Sequence, residues 1–310
     1  MSLRNTAKAD IVLKNFWKDN AHFADLFNAV LFDGEQKLHP EVLREADVDL
    51  SSVLKFNGHL ETIQRQRDVV KKTAYGMDFV IWGIENQQKI HYAMPLRHMI
   101  EDALSYLKEY NEIAKKNVDE KTANTKDEFL SRFKKTDRLH PVITLCVYYG
   151  EKEWDGATSL KEMLELPDYL ENLVPDYKMN LLQLRNSKNL KFKNKDVQTI
   201  FDVSRLIYDK NYGKITSIYK DQNLTNELGI VIGAITGSQE LINYAASEKK
   251  GGQFNMCTAL DELVESGKEK LLIEMVEKKL AKNKTPDTIA DELETDISVI
   301  NNIIEKIESV

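Results

Sequence analysis

Helical spacing and strand alternation divide the first half of this chain into separate pieces. From Ala21 the run HFADLFNAVLF repeats apolar residues at intervals of 3 and 4, and DGEQ breaks it, which predicts an opening helix over 20–31. His39-Pro40 begins an irregular stretch. Residues 61–72 alternate apolar and charged positions and predict a strand carrying Asp68. A turn near Gly76 leads into a second strand over 78–87, built on the apolar run from Phe79 to Ile84. Met94–Lys116 spaces Leu96, Met99, Ile100, Ala103, Leu104 and Leu107 as one face of an amphipathic helix. Pro95 falls in its first turn, where a missing N–H costs no hydrogen bond.

The charged, turn-rich stretch 117–139 reads as a lid or a linker with one short helix near 127–133. PVITLCVYYG at 141–150 has the composition of a buried strand, WDGATSL is a loop, and 178–185 reads as a further strand. Helix, strands, helix, strand, strand is the order of an α/β fold, a mixed sheet flanked by helices. From 196 onward the signals are helical, over 197–209, 239–247 and 268–281. TPDTIADELETDISVINNIIEKI then predicts two short helices joined near Glu294 to Asp296, with Thr285 and Asp296 as N-caps, a pattern resembling a helix-turn-helix pair. The organisation expected is a core over 1–195, a helical extension over 196–250 and an acidic helical region over 251–310.

Composition narrows the function classes. With 42% hydrophobic and 30% charged residues in a 310-residue chain, a folded core is expected throughout. No apolar stretch approaches the roughly 18 residues of a membrane span, and MSLRNTAKADIVLKNFWKDN lacks a signal-peptide core, so a cytoplasmic protein with no membrane partner is expected. The 2 cysteines, Cys146 in an apolar strand and Cys257 in a helix, have no metal-ligand spacing and read as small buried hydrophobes. The net charge of -7 sits mainly in 251–310, where 7 Lys face 13 Asp or Glu. The preceding body is close to neutral, so nucleic acid is not excluded as its partner. Within it, Lys178, Arg185, Lys188, Lys191, Lys193 and Lys195 form an acid-free run that is either a phosphate contact or a solvated face. The C-terminal helix pair has only Lys284 and Lys306 among many acids, which favours packing or oligomerisation over DNA contact.

Candidate chemistry concentrates at Asp68 and Glu85, acids on two adjacent predicted strands. Such a pair suits a divalent metal for phosphodiester cleavage, since the ion neutralises developing charge and acidifies a bound water. Hard cations such as Mg²⁺ take oxygen ligands, which here are the two carboxylates and the backbone carbonyl of Asn86. Gln87 shares a strand face with Glu85 and can orient the attacking water, but an amide does not titrate and is no base. By spacing alone the two acids read first as ordinary surface carboxylates, and Glu85 at the end of a buried run needs either a metal or an ion-pair partner, for which Arg67 and Lys71 beside Asp68 are the candidates. Arg97 either steadies a phosphate or Glu85, or pairs with Glu101 one helical turn on.

RQRDVVKK, GIENQ, HYAMPLRHMIEDALSY, HPVITLCVYYG and EWDGATSLKEML occur in this order, and together they resemble the recombination-promoting nuclease (Rpn) group, also described as PD-(D/E)XK nuclease family transposases. The resemblance covers roughly residues 10–190. It implies a restriction-endonuclease-like core and a metal-dependent endonuclease that hydrolyses DNA phosphodiesters with Mg²⁺, or Mn²⁺ or Ca²⁺ in its place, in recombination or transposon-related DNA processing. Residue by residue, Asp68 matches the family's strand acid and Glu85 the acid of its third motif. Gln87 stands where the wider superfamily has lysine, a departure that bears on rate and on activity itself. Asp25 is the candidate for the first-helix acid and metal ligand, with Glu41 and Glu45 as rivals. The alternative is a weak or inactive nuclease scaffold kept for DNA binding or assembly. The amphipathic C-terminal helices suggest a homo-oligomer.

Overall fold

The computed structural model describes residues 3–46, 52–56, 59–63, 68–75, 78–247 and 252–308; Arg67, Gly76 and the side chain of Glu85 lie outside what is described. Among the described residues seven strands precede residue 184: β1 Leu43–Glu45, β2 Ser52–Phe56, β3 His59–Ile63, β4 Val69–Tyr75, β5 Asp78–Gln87, β6 Val142–Tyr148 and β7 Asn180–Gln183. Five of them form one mixed sheet in the order β1-β4-β5-β6-β7, while β2 and β3 form a separate two-stranded sheet. The β1, β4 and β5 pairings are antiparallel, and β5, β6 and β7 run parallel. A parallel pair needs a crossover of a dozen or more residues. Between β5 and β6 it contains α3, Met94–Asp119, with Pro95 in its first turn as its sequence requires.

The remaining helices of this part are α1 Leu3–Lys18, α2 Asn20–Leu31, α4 Lys126–Ser131 and α5 Lys195–Tyr208. The predicted opening helix over 20–31 is α2, but α1 precedes it. Ala9, Leu13, Phe16 and Trp17 form the buried stripe of α1, diluted in sequence by Lys8, Asp10, Lys14 and Lys18. Asp19 separates the two helices, its carboxylate accepting from the N–H groups of Ala21 at 2.8 Å and His22 at 3.0 Å. The single strand expected over 61–72 is two strands with different partners, since β3 ends at Ile63 and β4 starts at Val69. Alternation cannot register such a change of partner.

Lys71 fixes the α1–α2 corner against the sheet. It is 1% exposed, and its ammonium donates to the Lys18 carbonyl at 2.5 Å and to the Asn20 side-chain carbonyl, with the Phe23 ring 5.5 Å away. Burial pushes its pKa below the ordinary lysine value, opposed by the charges of Glu45 and Asp19. The sequence reading had Lys71 as an ion-pair partner beside Asp68. Three residues along an extended chain reverse the face, and Lys71 turns to the helices instead.

Deeper in the core, α3 is tied to β6 by Asp102, whose carboxylate accepts from Thr144 Oγ1 at 2.7 Å and from the Tyr177 hydroxyl at 2.5 Å. Phe201 of α5 packs near Trp17 and stacks on Phe192, with ring centroids 6.4 and 4.9 Å apart. The Tyr208 hydroxyl lies 2.6 Å from the Tyr149 carbonyl and 2.8 Å from that of Ile235. The first compact unit therefore continues past residue 195, comprising Met1–Asn211 and Ile230–Ile242.

The second unit comprises Tyr212–Gly229 and Asn243–Val310. Further elements of the chain are α6 Tyr212–Tyr219, β8 Asn223–Thr225, α7 Asn226–Thr236, α8 Gln239–Ser247, β9 Gln253–Asn255, α9 Met256–Leu280, α10 Pro286–Glu292 and α11 Ile297–Glu308. β8 and β9 pair antiparallel. α9 starts at Met256 rather than 268, capped by Asn255, whose side chain accepts from Cys257 N at 2.9 Å and Thr258 N at 3.2 Å. Gly267 and the charges around it hide the earlier turns from a periodicity reading. The two terminal helices begin where their caps predict. Their apolar faces are used within the unit: Ile289 and Ala290 of α10 and Ile300 and Ile303 of α11 close a core with Val276 of α9. Among the described residues no helix is long and apolar enough to cross a membrane.

Glu292 joins α10 to Lys279 and Lys284, and hydrogen bonds from these two ammonium groups bring its carboxyl down to about 2. The folded-state value is depressed, so the contribution is present above the ordinary glutamate value near 4.5 and disappears as pH falls toward 2. Carboxyl-carbon NMR is expected to find Glu292 titrating near 2 in the full chain, moving toward the ordinary value in Lys279→Ala/Lys284→Ala. An ordinary glutamate titration in the unmodified chain would remove the pairing.

Candidate active site

The site begins where the β4–β5 ladder runs out. The antiparallel register pairs Val69 with Ile84, and one further step sets Asp68 opposite Glu85. On the other edge of β5, the Gln87 carbonyl accepts from Tyr149 N at 2.8 Å in continuation of the parallel β6 pairing. Backbone groups alternate edges along a strand, so those of Asn86 face the β4 side, where Asp68 is the described residue next before the strand. Asp68 fills the position with its side chain, Oδ2 accepting from Asn86 N at 2.7 Å. The chain thus holds a carboxylate at the strand end by a charge-assisted hydrogen bond.

The other oxygen of that carboxylate, Oδ1, lies 3.1 Å from Lys14 Nζ on α1. Lys14 also reaches Asp10 at 2.9 Å, and its side chain is 33% exposed against 12% for that of Asp68. Burial alone would lower the Lys14 pKa, but the hydrogen bond to Asp10 and the charge of Asp68 outweigh it, and the net direction is upward.

Asn86 is itself supported from below. The Trp17 indole N–H donates to the Tyr149 hydroxyl at 2.7 Å, and that hydroxyl donates to Asn86 Oδ1 at 3.0 Å. Burial pushes the Tyr149 phenol upward, so it stays protonated and keeps its donor role. Among the described residues the buried Asn86 Nδ2 has no hydrogen-bond acceptor.

The other sequence candidates are distributed around the first unit. Gln87 is half-buried and registers with Tyr148 of β6. Asp25 is 4% exposed and accepts from the backbone N–H groups of Lys193 at 2.9 Å and Asn194 at 3.0 Å. Its carboxylate thus fastens the turn into α5. Arg97 donates through Nε to Glu101 Oε1 at 2.9 Å, and Glu101 is fully buried. This is the one-turn pair weighed from sequence. Lys188, Lys191, Lys193 and Lys195 are all exposed, Lys191 meeting Asp33 at 2.6 Å. The turn after α2 presses on this basic loop: Gly34 has φ +83°, and a Cβ there would stand 2.6 Å from Lys191 Cβ.

The donors at the strand end, the Asp68 carboxylate and the Asn86 carbonyl edge, are oxygens and fit a hard divalent cation rather than a soft one. Among the described residues no group of three or more His, Cys, Asp or Glu is placed to share an ion, the Glu85 side chain being outside that set. Lys14, Trp17 and Tyr149 did not emerge as site residues from sequence. The stripe around Lys14 and its spacing to Asp10 were the available signal, and neither points to Asp68, 54 positions along the chain. No protein-family model, curated protein or solved structure matches the chain.

Two measurements check this geometry. Asp25→Ala strands the N–H groups of Lys193 and Asn194 and is expected to lower the unfolding free energy by about 1–3 kcal/mol in chemical denaturation. Unchanged stability combined with lost Mn²⁺ binding would instead make Asp25 a ligand. Tyr149→Phe removes the acceptor of the Trp17 indole and the donor to Asn86, with an expected cost of about 1–3 kcal/mol. A neutral effect would show that neither bond orders the strand end.

Proposed function

We propose that the chain is a metal-dependent endonuclease of the PD-(D/E)XK type, hydrolysing DNA phosphodiester bonds on a restriction-endonuclease-like core. The observation that carries the reading is the Asp68 carboxylate held by Asn86 N–H at 2.7 Å, at the register position opposite Glu85. The β4–β5 antiparallel pair, the α3 crossover and the parallel β6 strand agree with such a core. In this reading Asp68, Glu85 and the Asn86 carbonyl hold Mg²⁺ or a similar ion. The bound ion supplies Lewis acidity to the phosphate oxygens and a water acidified toward neutral pH.

The chain's own residues do the positioning. Asn86 N–H fixes the orientation of the Asp68 carboxylate, and the Trp17–Tyr149 pair fixes the Asn86 side chain. Gln87 orients the attacking water by its amide and takes no proton. Lys188, Lys193 and Lys195 extend into solvent, where they meet backbone phosphates without reading sequence. Arg97 holds Glu101 and enters the reading as a secondary phosphate contact. Cutting both strands at one locus needs two sites, which a homo-oligomer supplies. An interface through the C-terminal helices would use their outward apolar residues Leu271, Met275, Ile297 and Val299.

A second reading, a nuclease scaffold kept for DNA binding or assembly, is favoured by the uncharged Gln87 amide at the strand end. Supercoiled plasmid separates the two. With Mg²⁺ or Mn²⁺ the protein is expected to nick it, and Asp68→Ala to lower the rate by about 100-fold or more, the loss of several kcal/mol of transition-state stabilisation. Retardation of the DNA with no cleavage in any divalent metal would support the scaffold reading. Equal nicking by both proteins would identify a contaminant and end the first.

A further inference from the structure

A phosphodiester gains negative charge as water attacks, and a nuclease site stabilises it with preorganised positive groups. At the end of β5 the next residue on the strand face of Glu85 is Gln87, which offers a dipole and no charge. Among the described residues a cation reaches this strand end from another element: Lys14 of α1 stands 3.1 Å from Asp68 Oδ1, and its ammonium also meets Asp10 at 2.9 Å. Asp68 has its second oxygen committed to Asn86 N–H, so the oxygen beside Lys14 is the one turned from the ladder. The lysine side chain is one-third exposed while the carboxylate beneath it is mostly covered. A phosphate approaching Asp68 from solvent therefore meets Lys14. Its flexible stem and three N–H donors let it exchange a carboxylate oxygen for a phosphate oxygen without moving α1.

We infer that Lys14 is a catalytic residue of this site, contacting a non-bridging oxygen of the scissile phosphate and supplying from α1 the positive charge that Gln87 does not carry. The inference rests on the nuclease reading. It assigns no proton transfer to Lys14: the bond broken is the P–O bond to the leaving sugar oxygen, the bond formed is from water oxygen to phosphorus, the proton the water loses passes to solvent, the leaving sugar oxygen takes one from solvent, and the lysine remains an ammonium throughout.

Four full-length proteins test it: the unmodified chain, Asp68→Ala, Lys14→Gln and Lys14→Gln/Gln87→Lys. Folding is compared by thermal melting, plasmid nicking is measured in Mg²⁺, and affinity for duplex DNA is measured in Ca²⁺ as a function of salt. Lys14→Gln is expected to lower nicking by about 100-fold or more and to reduce the salt slope of duplex binding by about 1, since one phosphate contact is lost. Returning a cation at position 87 is expected to recover part of the rate. If the unmodified chain nicks, Asp68→Ala does not, and Lys14→Gln nicks at the unmodified rate, the Lys14 assignment is overturned and the nuclease reading stands. If none of the proteins nicks, the nuclease reading fails and the catalytic assignment of Lys14 falls with it, whatever the salt slope. A Lys14→Gln protein that melts early, loses rate, keeps its salt slope and is not rescued at position 87 would make Lys14 a structural ion-pair member, which also overturns the assignment.

Discussion

Strand β5 is hydrogen-bonded along both edges, antiparallel to β4 and parallel to β6, and the first unit depends on that double pairing. The two ladders do not stop at the same place. The β6 side continues through Gln87 to Tyr149, whereas the β4 side ends its strand pairing at Val69 and Ile84. The Asn86 N–H of β5 lies on the β4 edge beyond the last strand pair, where a backbone donor needs an acceptor. Asp68 receives it. The Asp68 carboxylate thus sits at the offset between the two ladders.

Two lysines connect the helical layer to this sheet, with opposite consequences. Lys71 buries its ammonium at the α1–α2 corner, where carbonyl oxygens and the face of Phe23 replace water around the charge. Lys14, on the same helix that this corner positions, keeps a third of its side chain in solvent and pairs with Asp68. The first is an anchor whose removal strands its acceptors. The second is accessible to an incoming anion, and its position is inherited from the first. Trp17 lies on α1 as well, so one helix contributes both the cation beside Asp68 and the indole that begins the hydrogen-bond chain to Asn86.

The second unit has a different internal logic. Its helices α9, α10 and α11 spend their best apolar faces on one another, and its surface ion pairs are mostly between exposed partners worth little individually. Acidic charge concentrates there, with 7 Lys facing 13 Asp or Glu over 251–310.

Periodicity determined much of the element list: α2 over 20–31, β5 over 78–87, the Pro95 start of α3, the buried strand at β6 and the capped pair α10 and α11 were all readable, because each rests on contacts within a few residues. The acids Asp68 and Glu85 and the amide Gln87 were legible as a candidate set for the same reason, since two strands that follow one another in sequence are a local matter. The break between β3 and β4 was not, because alternation persists while the partner strand changes. Nor were the fates of Asp25 and Lys71, which are polar residues whose partners stand far along the chain, at Lys193 and at Lys18 and Asn20. What the sequence determined alone was the elements and the residue types at the strand end. Only the tertiary structure decided that α1 delivers Lys14 and Trp17 to that end, because side-chain partners separated by 54 and 132 positions leave no periodic trace and are chosen by packing.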